Sequence, residues 1–237
     1  MKSEKISQLH LEGIPMLVVR KRIRNLHLRV TPPEGAVRIA APLRFSDEMI
    51  LRFVTAKIAW IKKNQLRLRA QEYHPPKLFL SGETHLLFGQ PHLLRVYETR
   101  GQSGVELNAD GIIELHCPPK SSRKAREELI DNFYRTELEK CVPQLIEKWQ
   151  HVVGVTILDW RIRKMKTRWG TCNPRARRIW INLELAKRPT YCLEYLICHE
   201  LVHLLEKRHN ARFKNFMTMF LPEWREVQRE LKQISIR

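Results

Sequence analysis

Apolar and polar positions along the chain repeat with two different periods, and the change between them divides it. From residue 16 to 41 the pattern is one of short strands. Met16 to Val19 is apolar, Leu26-His27-Leu28-Arg29-Val30 alternates, and Val37-Arg38-Ile39-Ala40 follows a Pro32-Pro33-Glu34-Gly35 turn. These predict a small, mostly antiparallel β-meander. Ser46-Asp47-Glu48 then marks a helix start, and Ile50, Phe53, Val54, Ile58 and Ile61 recur at helical spacing as far as about Arg69. Lys62, Lys63, Arg67 and Arg69 form the other face of this helix, and Pro75-Pro76 ends it. Leu78 to Val96 and Ile112 to Leu115 read as further short strands around Gly82, Gly89 and Gly111.

After Cys117-Pro118-Pro119 the period changes. Ser122 to Gln150 carries Leu129, Phe133, Leu138 and Leu145 in a long helical pattern that Pro143 should bend or break. This shift predicts two domains: residues 1–117, β-rich with one long helix, and residues 118–237. In the second, Ile157 to Thr167 and Arg178 to Leu183 read as two strands of a hairpin joined through Gly170 to Ala176. Thr190, after Pro189, is placed to cap a helix from about Tyr191 to Lys207. Two shorter helices follow, the last starting near Pro222. The fold class expected is α+β.

Composition narrows the setting. The 237 residues are 43% hydrophobic, ample for a core without covalent staples. Five cysteines, Cys117, Cys141, Cys172, Cys192 and Cys198, form no C-x-x-C pair and no dense framework, which suits a reducing cytoplasm. No stretch approaches the roughly 20 apolar residues of a membrane span, and Met1 to His10 lacks a signal-peptide core. The excess of 43 Lys and Arg over 25 Asp and Glu, +18 in all, would attract polyanions, although it is spread along the chain as a solvated surface usually is.

The chemistry concentrates in one segment. His199-Glu200-Leu201-Val202-His203 is H-E-x-x-H inside a predicted helix. A four-residue step returns the second imidazole to the face of the first, one turn along, so both can reach one ion. Zinc takes nitrogen ligands at about 2.0–2.1 Å and, in catalytic sites, three protein ligands with one position open to water. Glu200, beside His199, is placed to act as general base and then general acid. A third ligand must come from beyond the helix, because a side chain further up the same face recedes by about 1.5 Å per residue. His209 supplies it, with Asn210 as a left-handed or capping residue at the corner. Glu206 is the rival, one turn after His203, but a supporting bond to a ligand imidazole suits it better.

Other residues invite plainer readings. Tyr195 shares the histidine side, where its hydroxyl would meet a reacting oxyanion or, more commonly for a buried tyrosine, a backbone carbonyl. Cys198 reads as packing, and His116-Cys117 is too short a pattern for a second metal. Gly170 reads as a backbone requirement. Arg168 and Trp169 read equally as cleft lining or as structure.

Taken together, Lys166-Thr167-Arg168-Trp169-Gly170-Thr171-Cys172, Ile181-Asn182-Leu183, Cys198 to Leu204 and His209-Asn210-Ala211-Arg212-Phe213 resemble the YgjP-like metallopeptidase family, relatives of the SprT-like and WLM zincins. Weaker similarity extends to Arg38-Ile39-Ala40-Ala41-Pro42 and Lys57-Ile58-Ala59-Trp60-Ile61. The resemblance implies a compact zincin domain with zinc on His199, His203 and His209 and Glu200 as base. Asn210 stands where many relatives would carry Ser. It also implies a peptide or protein substrate held along an exposed strand edge. Two other readings remain open: hydrolysis of a nucleoside triphosphate beside the arginine-rich Arg161 to Arg178 stretch, and a protease recruited to nucleic acid by the basic N-terminal half.

Overall fold

Glu12 and Gly13 both take positive φ, 49° and 75°, the left-handed pair that a two-residue hairpin turn requires. In the computed structural model, which describes residues 5–31, 34–70 and 77–233, this turn joins β1 (Lys5–Leu11) to β2 (Ile14–Lys21). Two more strands, β3 (His27–Thr31) and β4 (Ala36–Pro42), complete a sheet of order β1-β2-β4-β3. The expected meander is thus corrected. β4 inserts between β2 and β3 and runs parallel to β2, with Met16 beside Val37 and Val18 beside Ile39, while β3 lies at the edge. Pairing β2 with β4 sets four apolar side chains, all buried, on one face, which the lone alternation of Leu26 to Val30 cannot match.

That face is covered by helices. Ser46 caps α1 (Asp47–Thr55) by accepting from the Met49 amide, as its sequence context predicts. The expected long helix is instead two, with a break at Ala56-Lys57 before α2 (Ile58–Ala70). The break lets Ile50 and Val54 from one helix and Ile61 from the other enter the same core. Gly35, at φ 80°, sits against Gln65, whose side-chain amide donates to the Gly35 carbonyl at 2.9 Å. Pro32, Pro33 and the Pro75-Pro76 stop lie outside the described residues.

The chain divides into two compact units, Met1–Pro76 and Lys77–Arg237. The boundary expected at Cys117 is therefore corrected to Pro76–Lys77. In the second unit β5 (Thr84–Leu87), β6 (Gln90–Glu98), β7 (Gly104–Leu107) and β8 (Ile113–Cys117) form a sheet of order β5-β6-β8-β7. Leu87, Leu94, Ile113 and Leu115 share one core with α3 (Arg123–Val153). Cys117-Pro118-Pro119 thus leads from a strand into the helix that covers it and separates nothing.

α3 is capped by Ser122 and stopped by Gly154 at φ 72°. It passes Pro143 unbroken. Pro inside a helix costs ~3 kcal/mol or more, but Leu138, Val142, Ile146 and Trp149 are buried on either side, and each such side chain contributes roughly 1.5–3 kcal/mol. Next come β9 (Asp159–Arg163), β10 (Gly170–Asn173) and β11 (Arg178–Asn182), in the order β10-β11-β9. The expected hairpin is corrected here too. β11 pairs antiparallel with β10, through a turn in which the Asn173 side chain accepts from the Ala176 amide, and parallel with β9.

A short 3-10 helix (Leu183–Lys187) leads to α4 (Thr190–Val202), then α5 (Ala211–Phe220) and α6 (Trp224–Gln233). Thr190 is the first helical residue and not the cap. Pro189 holds the cap position, and its carbonyl accepts from Cys192. α4 is buried nearly all round, including Leu193, Ile197, Cys198 and Leu201, so it is a central element and not a one-sided amphipathic helix. Among the described residues no helix is long and apolar enough to cross a membrane.

Candidate metal centre

α4 ends at Val202, one residue before His203 and well short of the expected Lys207. The early stop matters. His203 becomes the C-cap, and the amides of Leu204, Leu205 and Glu206 fold back on Leu201 and Val202 carbonyls to make a tight corner. The chain then reverses, and Asn210 caps α5 by accepting from the Phe213 amide at 3.0 Å. Its φ of −81° is ordinary, so Asn210 acts as a cap and not as a left-handed residue. His209 is thereby carried back over α4.

The structure brings His199, His203 and His209 together, with one ring nitrogen of each lying within 4.8 Å of the others. The Nε2 atoms of His199 and His209 are 3.0 Å apart. On two of the rings the other nitrogen has a partner. His203 Nδ1 lies 3.1 Å from the Glu206 carbonyl oxygen, and His199 Nδ1 lies 3.4 Å from the Tyr195 hydroxyl. A ring that donates through Nδ1 keeps its Nε2 lone pair free. Burial, with the neighbouring imidazoles, drives His199 down to about 3 and also lowers His203, so both are neutral near pH 7 and available as ligands.

Beneath the three rings lies Phe213, 1% exposed. Its centroid is 4.9, 4.8 and 4.7 Å from those of His199, His203 and His209. Two contacts are edge-to-face and one is tilted, geometries that aromatic rings favour. The sequence placed Phe213 in a motif without assigning it a task. Its signal was the i+3 position after the capping Asn210, which fixes it on the inward side of α5.

Glu200 is 4% exposed. Burial pushes its carboxyl up to about 8, opposed by the Arg168 guanidinium, and its buried Oε2 has no hydrogen-bond partner among the described residues. Its Oε1 lies against Gly170, where an added β-carbon would come within 2.8 Å of that oxygen and 2.9 Å of the Leu196 side chain. Gly170 is thus required by space and not by a left-handed backbone. Asn182, fully buried, fixes the loop before it. Its amide donates to the Met165 and Arg168 carbonyls at 2.9 and 2.7 Å, and its oxygen accepts from the Met165 and Glu184 amides.

A cavity of about 440 Å³ joins these parts, bordered by the three histidines, Glu200, Arg168 and Lys207, by Gly170, Thr171 and Cys172 of β10, and by Pro174. β10 is an edge strand of its sheet. Arg168 reaches this cavity but Trp169 does not border it. Trp169 packs on the core and donates to the Leu231 carbonyl at 3.3 Å. Tyr195 stands behind His199, its oxygen also accepting from Gln228 at 3.2 Å, so the expected carbonyl partner is replaced by an imidazole and an amide. Glu206 supports His203 as foreseen, but through its carbonyl, while its carboxylate accepts from the Arg208 amide. Cys172 also borders the cavity, and burial, reinforced by Glu200, lifts its thiol to about 12, which disfavours it as a thiolate ligand.

The donor set suits a divalent metal such as zinc: three imidazoles converge beside a partly open cavity that Glu200 also borders. A second grouping, Glu106, Glu114 and His116, lies on the solvent side of the β7–β8 pair. There Glu114 already accepts from Asn108 and His116 stacks on Tyr97. Cys117 plays no part in it, being buried and accepting from the Ser121 hydroxyl.

The family described as YgjP-like, metallopeptidase domain, matches residues 24–234. No curated protein matches the chain. Among solved structures, the metallopeptidase zymogen of Pyrococcus abyssi abylysin is similar at 21% identity and a TM-score of 0.36, covering 38% of this chain and 90% of its own. The metallopeptidase zymogen of Methanocaldococcus jannaschii jannalysin is similar at 18% identity and a TM-score of 0.36, covering 39% of this chain and 94% of its own. Likeness at those scores carries no function across.

Proposed function

This chain belongs to the YgjP-like metallopeptidase family, and from that premise we propose that it is a zinc-dependent peptidase in which His199, His203 and His209 hold the metal and Glu200 is the general base. One observation carries the reading: the three convergent imidazoles and Glu200, whose Oε2 has no hydrogen-bond partner among the described residues, border one cavity. Zinc, when bound, supplies a Lewis acid for the scissile carbonyl and lowers the pKa of a water to about 7.

The chain's own residues do the rest. α4 is the active-site helix, and it presents Glu200 next to His199, where the carboxylate takes a proton from the attacking water and hands it to the leaving amine. A carboxyl raised by burial is well matched to both halves of that exchange, and the Arg168 guanidinium keeps it ionisable. Gly170 leaves room for the carboxylate. The edge of β10 offers unpaired main-chain groups to an extended peptide, which would lie along the cavity as an added strand.

Replacing Glu200 with Gln tests the assignment. The variant should retain one equivalent of zinc and lose peptide hydrolysis by about 10²–10⁴-fold. Unchanged turnover would remove Glu200 from the mechanism. Phosphoanhydride hydrolysis, for which Arg168 and Lys207 at the cavity are the favouring observation, is separated by offering the same zinc-loaded protein casein and a panel of nucleoside triphosphates.

A further inference from the structure

Between Asp159 and Glu184 the chain contains no acidic residue, while basic residues recur from Arg161 to Arg178. The fold gathers part of this run on one surface. Strand side chains alternate, and in β9 and β11 Ile162, Ile179 and Ile181 point into the core. Arg161 and Arg163 on β9, with Arg178 and Trp180 on β11, occupy the opposite face, where Arg161 is registered beside Trp180. The Arg163 guanidinium lies 4.4 Å from the Trp180 ring centroid and that of Arg178 lies 5.3 Å from it. Among the described residues Asp159 is the carboxylate paired with these arginines, 3.2 Å from Arg161 and 4.0 Å from Arg178, so positive charge remains in excess there.

We propose that this outer face of the β9–β11 sheet binds the sugar–phosphate backbone of nucleic acid. A guanidinium laid on an indole is held flat and loses little freedom on binding, and its N–H groups suit phosphate oxygens in pairs. Arg161 and Arg163 stand two residues apart, about 6.8 Å along the strand. A row of fixed positive charges suits a polymer of evenly spaced negative ones, with phosphates roughly 3.4 Å apart along the axis on one strand. A membrane surface is a poorer fit, because Trp180 is the face's large apolar group and it is covered by arginines. The face continues to the cavity: Thr171 of β10 is registered beside Trp180 and also lines the proposed peptidase site. The surface expected on the N-terminal half is thus assigned to the second unit, independently of the peptidase reading.

The test is fluorescence anisotropy of the full-length, zinc-loaded protein with a labelled single-stranded oligonucleotide across a salt series. The wild type should bind at low salt, with affinity falling linearly on a log–log plot. The variant Arg161→Gln/Arg163→Gln/Arg178→Gln should bind at least about tenfold more weakly and lose about 2 from the salt slope, near the ~0.7 per phosphate contact expected for single strands. Its zinc content and melting temperature report folding. Should the triple variant be unstable, the exposed pair Arg161→Gln/Arg163→Gln gives the same comparison with a slope change of about 1.4. Three results would overturn the proposal: no binding at low salt, variant affinity equal to wild type, or displacement of the oligonucleotide by poly-glutamate or anionic vesicles as readily as by unlabelled oligonucleotide.

Discussion

Glu200 and Gly170 are set so close that the carboxylate occupies the space a side chain on residue 170 would need, 2.8 Å from where its β-carbon would lie. The two residues come from different elements, α4 and β10, and their contact closes one wall of the cavity. Gly170→Ala should therefore push the carboxylate and Leu196 aside. Overpacking of this kind costs about 1–3 kcal/mol, and a misplaced base costs on the order of 10²-fold in rate. Metal analysis should show zinc retained while kcat for a peptide substrate falls; a normal kcat would mean that the carboxylate tolerates the shift.

Phe213 touches all three imidazoles, so its removal should be felt in metal affinity as well as stability. Phe213→Leu keeps an apolar side chain but gives up the ring contacts. Competition with a chelator should show zinc held roughly 10–100-fold less tightly, the range seen when groups behind metal ligands are changed. Equal affinity with a lowered melting temperature would reduce Phe213 to packing alone.

Tyr195 stands behind His199, bridged to Gln228 on α6, and away from the cavity wall. Tyr195→Phe should therefore weaken zinc binding, with kcat of the fully loaded enzyme little changed. An oxyanion-stabilising role makes the opposite demand: intact affinity and a kcat lowered on the order of 10²-fold. Measuring both separates the two.

His85 is buried in the second unit, 3.3 Å from the Glu83 carboxylate and 3.5 Å from the Tyr134 hydroxyl. Burial, helped by Lys77, lowers it below 6.5, the ordinary value. The unfolded chain then binds the proton first as pH falls, so the stability His85 confers is complete above about 6.5 and is lost as pH drops from there towards the folded value. Melting temperatures at pH 7.5 and pH 5 should differ more for the wild type than for His85→Gln. Equal differences would show that other groups set the acid sensitivity.

The sequence by itself determined the parts whose physics is local. The H-E-x-x-H step fixes two imidazoles on one helix face because an α-helix repeats every 3.6 residues, and Ser46, Ser122 and Asn210 cap helices because their side chains satisfy amides three positions on. Tertiary structure decided what distant segments share. The parallel pairings of β2 with β4 and β9 with β11 leave no mark on a one-dimensional pattern, since either register satisfies alternation until a particular core is buried. Burial kept α3 continuous through Pro143 and joined β5–β8 to α3 in one core, moving the boundary to Pro76–Lys77. Gly170 reads in the sequence as a turn residue, and it is the close approach of Glu200 that gives it its task.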